Sequence, residues 1–93
     1  MDDRQKKLRF RAWRRGFREI DLILGSFADA HLTELDEAGL NAFEALLDAP
    51  DQEVWDWILG RAPSPPEHDT PTLALIRTFR FFARHAIEGV KPA

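Results

Sequence analysis

The chain of 93 residues contains no cysteine, no tyrosine and a single methionine. The lack of cysteine excludes disulfide bonds and thiolate metal ligands, so packing alone must stabilise the folded state. No apolar run approaches the roughly 18 to 20 residues that span a bilayer. The N-terminal Met1-Asp2-Asp3-Arg4 also lacks the apolar centre of a secretory signal. We therefore expect a chain that has no membrane partner and is not exported.

Strand patterns are also missing, because no segment alternates apolar and polar residues for long and β-branched residues are few. A chain of this length buries only about 60 to 65% of its unfolded surface around a single core, which predicts one helical domain over residues 1–93. Apolar residues recur at helical spacing instead. The sequence therefore predicts an all-α fold, a small five-helix bundle.

Each predicted helix has its own apolar positions. These are Leu8, Phe10, Ala12 and Trp13 in a basic helix over about residues 4–14; Ile20, Ile23, Leu24 and Phe27 in the second; Leu40, Phe43, Leu46 and Leu47 in the third; Val54, Trp55, Ile58 and Leu59 in the fourth; and Leu75, Phe79, Phe82 and Ala86 in the fifth. The second helix is predicted to end near Ala30 or His31. Residues 90–93 are expected to form a frayed tail.

Turn and cap residues predict the boundaries between these helices. The expected N-caps of the third, fourth and fifth helices are Asp36, Asp51 and Thr70. Gly60 suits a left-handed C-terminal cap, and Pro71 suits the first position of the last helix. Three prolines in residues 61–69 predict a loop.

Charge is unevenly distributed, although the net charge is only −3. Residues 1–18 hold eight Lys and Arg against two Asp, whereas the remainder holds five against fourteen acidic residues. This basic segment can be presented to an acidic partner, or it can fold against the acidic helices of its own chain. The sequence leaves both alternatives open.

The residues that catalysis requires are poorly represented. Glu19 and Asp21 are two apart, so on a helix they diverge by about 200° and cannot act as a carboxylate pair. The two serines lie outside any nucleophile motif, and the three histidines have no histidine at the spacing that builds a metal site on one helix. We expect no enzyme activity, no metal site and no stably bound cofactor.

The segment Arg14-Arg15-Gly16-Phe17-Arg18-Glu19 predicts a contact surface. On a continuous helix Arg15 and Glu19 would share one face about 6 Å apart and would flank a position that has no side chain. Glycine costs about 1 kcal/mol relative to alanine inside a helix. Gly16 therefore indicates either close approach by another backbone or a local helix boundary.

Residues 8 to 85 resemble the small succinate dehydrogenase assembly factors, which comprise the bacterial SdhE-like proteins and their mitochondrial counterparts. The resemblance rests on the motif Arg15-Gly16-x-x-Glu19, the apolar stretch up to Phe27, and the later segments Leu40 to Leu47, Pro50-Asp51 and Trp55-x-Trp57. It implies a five-helix bundle that binds the flavoprotein subunit of succinate dehydrogenase, or of fumarate reductase, and promotes covalent attachment of FAD to that subunit.

The resemblance also implies a partner surface, with FAD held by the client rather than by this chain. Carried over by position, the partner-binding residues are Arg15, Gly16 and Glu19, extended by Arg11, Phe17 and Arg18. A monomeric, non-catalytic chaperone is implied, and the absence of a long N-terminal extension suggests a bacterial cytoplasmic member.

The alternative function is a nucleic-acid-binding module that uses the basic arm. Lys and Arg interleaved with Phe10 and Trp13 could neutralise phosphates and stack on unpaired bases. Against it, the isoelectric point is near 5.5, whereas nucleic-acid modules usually carry positive charge beyond one arm. We therefore expect no nucleic-acid partner.

Overall fold

A computed structural model describes the backbone of residues 1–89 and the side chains of residues 1–80. The described residues form five α-helices and no strand, which confirms the predicted all-α fold. The helices are α1 (Asp3–Ala12), α2 (Arg18–His31), α3 (Glu37–Asp48), α4 (Asp51–Leu59) and α5 (Pro71–Gly89). Short 3-10 turns cover Leu32–Glu34 and Pro66–His68. The predicted tail at residues 90–93 and the predicted core side chains Phe82 and Ala86 lie outside the described parts.

Local signals set most helix boundaries as the sequence predicts. The Asp36 carboxylate accepts a hydrogen bond from the Gly39 amide at 2.8 Å, and the Thr70 hydroxyl accepts one from the Leu73 amide at 3.2 Å. Both side chains cap amides that have no partner within their helix. Gly60 ends α4 in the left-handed conformation, with φ of 74°.

α1 covers Asp3–Ala12, where the sequence predicts a helix over about residues 4–14. One cap prediction is wrong. α4 has Pro50 as its N-cap, and Asp51 is its first residue instead of its cap. The Asp51 carboxylate does not turn back to the α4 amides, because it pairs with Arg15 from the preceding half of the chain.

The hydrophobic core lies where all five helices meet. The Phe27 ring stands near its centre, with its centroid 5.7 Å from those of Phe43 and Phe79. The predicted apolar positions of α2 and α3 are confirmed, since all of them are buried except Ile23, which is partly buried against the core. A fully buried side chain of this kind stabilises a fold by about 1.5 to 3 kcal/mol.

Side-chain orientation differs from the prediction at two positions. Leu75 is 49% exposed, and the buried residues of α5 are Leu73 and Ile76. The inward face of α5 also carries polar groups, because the buried Thr72 hydroxyl donates to the Gly39 carbonyl at 3.1 Å. Phe10 points outward and is 58% exposed.

The two tryptophans of α4 are two positions apart, so only one of them points squarely into the core. Trp57 is the one that is buried, and Trp55 only packs against the rim of the core.

No helix among the described residues is both long enough and apolar enough to cross a bilayer.

Candidate functional site

The segment that connects α1 to α2 carries the Arg-Gly pair of the predicted contact surface. It covers residues 13–17, and α2 begins only at Arg18. Arg15 and Glu19 therefore do not share the face of one continuous helix. Of the two explanations for Gly16, the helix boundary is the one that the backbone adopts.

Asp21 closes this segment from the first turns of α2. Its Oδ1 atom accepts hydrogen bonds from the backbone amides of Arg15 at 2.6 Å and Gly16 at 3.3 Å. A carboxylate in this place also interacts favourably with the positive end of the α2 dipole. The Arg-Gly loop, which we define as residues 13–17, is thus tied to the helix that follows it.

Arg15 ties the same loop to the junction between α3 and α4. Its side chain is only 7% exposed and pairs with Asp51 at 2.6 Å. The guanidinium also donates to the carbonyl oxygens of Leu47 and Ala49, the latter at 2.6 Å. Carbonyls at the C-terminal end of a helix lack partners within it and attract positive charge. Arg15 therefore acts as an internal clamp.

The Arg15 clamp leaves one polar atom without a partner. The buried Nε atom of Arg15 makes no hydrogen bond to any residue that the structure describes. The other guanidinium nitrogens are used within the fold, so little of this charge faces solvent.

Gly16 has a carboxylate close beside it, and its backbone angles alone do not require glycine. Its φ does not lie in the left-handed region, but a Cβ atom at this position would collide with Oδ2 of Asp51. The gap beside Gly16 is thus filled by a carboxylate of the same chain. A larger residue here would disturb the Arg15–Asp51 pair.

The remaining predicted site residues form the outer rim of this clamp. Gly16, Arg18 and Glu19 are exposed. Phe17 is half-buried, and its ring meets the Trp55 ring edge-on with a centroid distance of 5.8 Å. Arg11 pairs with Asp48 at 2.6 Å. The structure brings five of the six predicted residues to an accessible position and places the Arg15 side chain inside.

Two residues that organise the loop were not among the predicted site residues. Asp21 lies within the motif region, six residues after Arg15, and this closeness in the sequence is the signal that could have found it. Asp51 carries no such local signal, because it meets Arg15 only after α3 has packed against α1.

Half of the eight basic residues in residues 1–18 pair with acidic side chains of their own chain. Arg4 contacts Glu37 and Glu44 at 3.1 and 3.0 Å, and Arg9 pairs with Asp29 at 2.9 Å. The hydrogen bond that Arg4 donates to Glu44, helped by the charge of Glu37, raises the pKa of the Arg4 guanidinium. Together with Arg11 and Arg15, four arginines of the arm are paired internally, in line with one of the two alternatives from the sequence.

Metal-ligating side chains are scattered over the described part of the chain, where no three of them come together. His31 contacts Glu34 at 3.0 Å and packs against the rings of Phe27 and Phe79. His68 stacks on Trp57 at 4.9 Å. Both histidines therefore pack against aromatic side chains.

Comparison with known proteins gives one consistent family. The family Sdh5, described as flavinator of succinate dehydrogenase, matches residues 6–80. The FAD assembly factor SdhE of Acetobacter pasteurianus is 40% identical over 70 residues, which are 75% of this chain and 64% of that protein. The mitochondrial succinate dehydrogenase assembly factor 2 of Dictyostelium discoideum is 40% identical over 73 residues, or 78% of this chain and 52% of the relative. The chain thus spans between half and two thirds of the length of these relatives.

Proposed function

The chain belongs to the succinate dehydrogenase flavinator family, and from this membership we propose that it is an assembly factor for the flavoprotein subunit of succinate dehydrogenase. In this proposal the chain binds that subunit and promotes covalent attachment of FAD. The supporting observation in the structure is the Arg-Gly loop, which internal contacts hold in place while Gly16 and Glu19 stay exposed.

We assign different roles to the residues of the motif. The surface that meets the client comprises the backbone at Gly16 and the side chains of Arg11, Phe17, Arg18 and Glu19. Glu19 lies in the first turn of α2, where its exposed carboxylate can accept charge-assisted hydrogen bonds from the client. Arg15 acts as a positioning residue, because its guanidinium is buried and bonded within the chain.

No catalytic group of this chain is needed for such a role. A protein that binds the FAD-loaded, attachment-ready form of the client more tightly than other forms shifts the client toward that form. A differential affinity of about 1.4 kcal/mol changes the ratio of the two forms tenfold. FAD is then the cofactor of the client, and the bond forms through the client's own chemistry.

The narrower expectations from the sequence belong to the same proposal. We propose that the chain acts as a monomer in a bacterial cytoplasm, with the flavoprotein subunit of fumarate reductase as a second client. Nucleic-acid binding is not proposed, because four arginines of the basic arm already pair with carboxylates of the chain.

Glu19 offers the most direct test of the proposed surface. Glu19→Ala is expected to weaken binding of the purified flavoprotein subunit, loaded with non-covalent FAD, at least about tenfold and to leave the melting temperature unchanged, since Glu19 is exposed. Glu67→Ala is the matched control, because Glu67 is an exposed glutamate in the 3-10 turn before α5. Binding can be measured by calorimetry and folding by circular dichroism.

The cellular counterpart is deletion of the gene followed by in-gel fluorescence of covalent flavin. Flavin fluorescence of the succinate dehydrogenase subunit should disappear, return with the wild-type gene and with Glu67→Ala, and stay low with Glu19→Ala. Full flavinylation in the deletion strain would contradict the proposed function. Loss of folding in Glu19→Ala would instead assign that residue a structural role.

A further inference from the structure

α1 carries two kinds of basic residue. Arg4, Arg9 and Arg11 turn toward α2 and α3, where they pair with carboxylates. Lys6 and Lys7 of α1, and Arg14 just after its end, are exposed and make no ion pair with any side chain that the structure describes. These unpaired cations thus surround the outward-facing Phe10.

These exposed residues form one continuous patch. The α1 outer patch consists of Lys6, Lys7, Phe10 and Arg14. Each of its three cations lies three or four positions from Phe10 in the sequence. The Arg14 guanidinium carbon lies 3.9 Å from the centroid of the Phe10 ring. Open hollows lie on both sides of this ring, and Lys6 lines both of them.

We propose that the α1 outer patch is a second docking surface, and that it binds a short acidic segment of the client flavoprotein. This inference rests on the proposed function. Cations without internal counter-charges are complemented by carboxylates of a partner, and an exposed aromatic ring beside an arginine is the composition typical of binding hot spots. The patch ends at Arg14, two residues before Gly16, so it continues the proposed client surface along the chain.

The dimensions and borders of the patch favour a short peptide segment over a nucleic acid. The seven residues of α1 from Lys6 to Ala12 span about 9 Å, which matches about three residues of extended chain. Beyond the cations lie the carboxylates of Asp29 and Asp48, which hold Arg9 and Arg11. A phosphate backbone that extended past the patch would meet these negative charges.

Two variants test the patch through different physical properties. Phe10→Ala removes the aromatic ring, and Lys7→Glu reverses one charge. Arg61→Glu makes the same change of charge at an exposed site in the turn after α4 and is the matched control. The probe is the purified flavoprotein subunit of succinate dehydrogenase, loaded with non-covalent FAD and titrated at about 50 mM and about 500 mM salt.

Both patch variants are expected to weaken binding about five- to tenfold, whereas Arg61→Glu stays within about twofold. The effect of Lys7→Glu should shrink at the higher salt concentration, because screening reduces interactions between exposed charges. Since both residues are exposed, each variant should melt at the wild-type temperature; if Phe10→Ala melts lower, Lys7→Glu decides the test.

Three outcomes would overturn the inference. Wild-type affinity in both patch variants, with binding still lost in Glu19→Ala, would reject the patch and keep the proposed function. Failure of the wild-type chain to bind the subunit would reject both. A wild-type chain that binds a short single-stranded oligonucleotide, with that binding lost in the patch variants while client binding is unchanged, would assign the patch to nucleic acid.

Discussion

At the scale of single residues, Asp51 contacts both members of the Arg-Gly pair. Its Oδ1 atom pairs with the Arg15 guanidinium at 2.6 Å, and its Oδ2 atom occupies the space that a side chain at position 16 would need. A side chain at position 16 would therefore force this carboxylate, the end of a flexible side chain, to shift beside Arg15. Glycine at this position can thus support a partner surface without touching the partner.

This arrangement predicts that the cost of Gly16→Ala depends on Asp51. Gly16→Ala should lower the free energy of unfolding by about 1 to 3 kcal/mol, because the new Cβ atom displaces the Asp51 carboxylate. In an Asp51→Ala background the collision is absent, so the same change should cost about 1 to 2 kcal/mol less. Urea unfolding of the two single variants and the double variant measures this coupling.

Additive effects of the two substitutions would contradict the intramolecular explanation of Gly16. Gly16→Ala that folds with wild-type stability and loses only client binding would show instead that the client backbone needs the space. Arg18→Ala is a useful control, because Arg18 is exposed and a substitution there should change stability by less than about 0.5 kcal/mol.

At the scale of helices, the sequence predicts well wherever the signal is local. Asp36, Gly60 and Thr70 occupy the cap positions that their side chains or backbone favour. The sequence pattern places Leu75 on the buried face of α5, but the orientation of α5 also depends on the hydrogen bond from Thr72 to Gly39 in another helix. The pairing of Asp51 with Arg15 could not be predicted for the same reason, since the two residues lie 36 positions apart and meet only through packing.

The start of α5 provides a test at this scale. Thr70→Ala removes the hydroxyl that accepts from the Leu73 amide and should destabilise the fold by about 1 kcal/mol. Thr78→Ala is the control in the same helix, because the Thr78 hydroxyl only donates to the Ala74 carbonyl within the helix. Urea unfolding should place Thr78→Ala within about 0.5 kcal/mol of the wild type. Equal effects of the two changes would show that Thr70 does not stabilise the start of α5 through capping.

At the scale of the whole molecule, the uneven charge of the sequence becomes a set of contacts between α1 and the acidic helices. The order of charged residues in the sequence predicts that opposite charges lie in different parts of the chain, but it could not choose between an internal and an external partner. In the structure, some basic residues of α1 pair internally and others remain exposed. Arg4 and Arg9 pair internally, whereas Lys6 and Lys7 stay exposed.

These internal pairs predict a moderate dependence of stability on salt. The carboxylates that pair with Arg4, Arg9 and Arg11 are mostly exposed, so dissolved salt screens each pair. Raising sodium chloride from about 50 mM to about 500 mM should therefore lower the free energy of unfolding modestly, as measured by urea titration at each concentration. A clear rise in stability would contradict a net stabilising role for these contacts.

The Arg15 clamp also sets the order in which the chain can mature during translation. The carbonyls that hold the guanidinium belong to residues 32 and 34 positions further along the chain. A chain still emerging from the ribosome contains the Arg-Gly motif well before it contains these anchors, and contacts over such sequence distances form only when the intervening segments have folded. The anchored loop can therefore form only in a chain that already contains α3. A chain that stops before the end of α3 would present the Arg-Gly motif without these anchors.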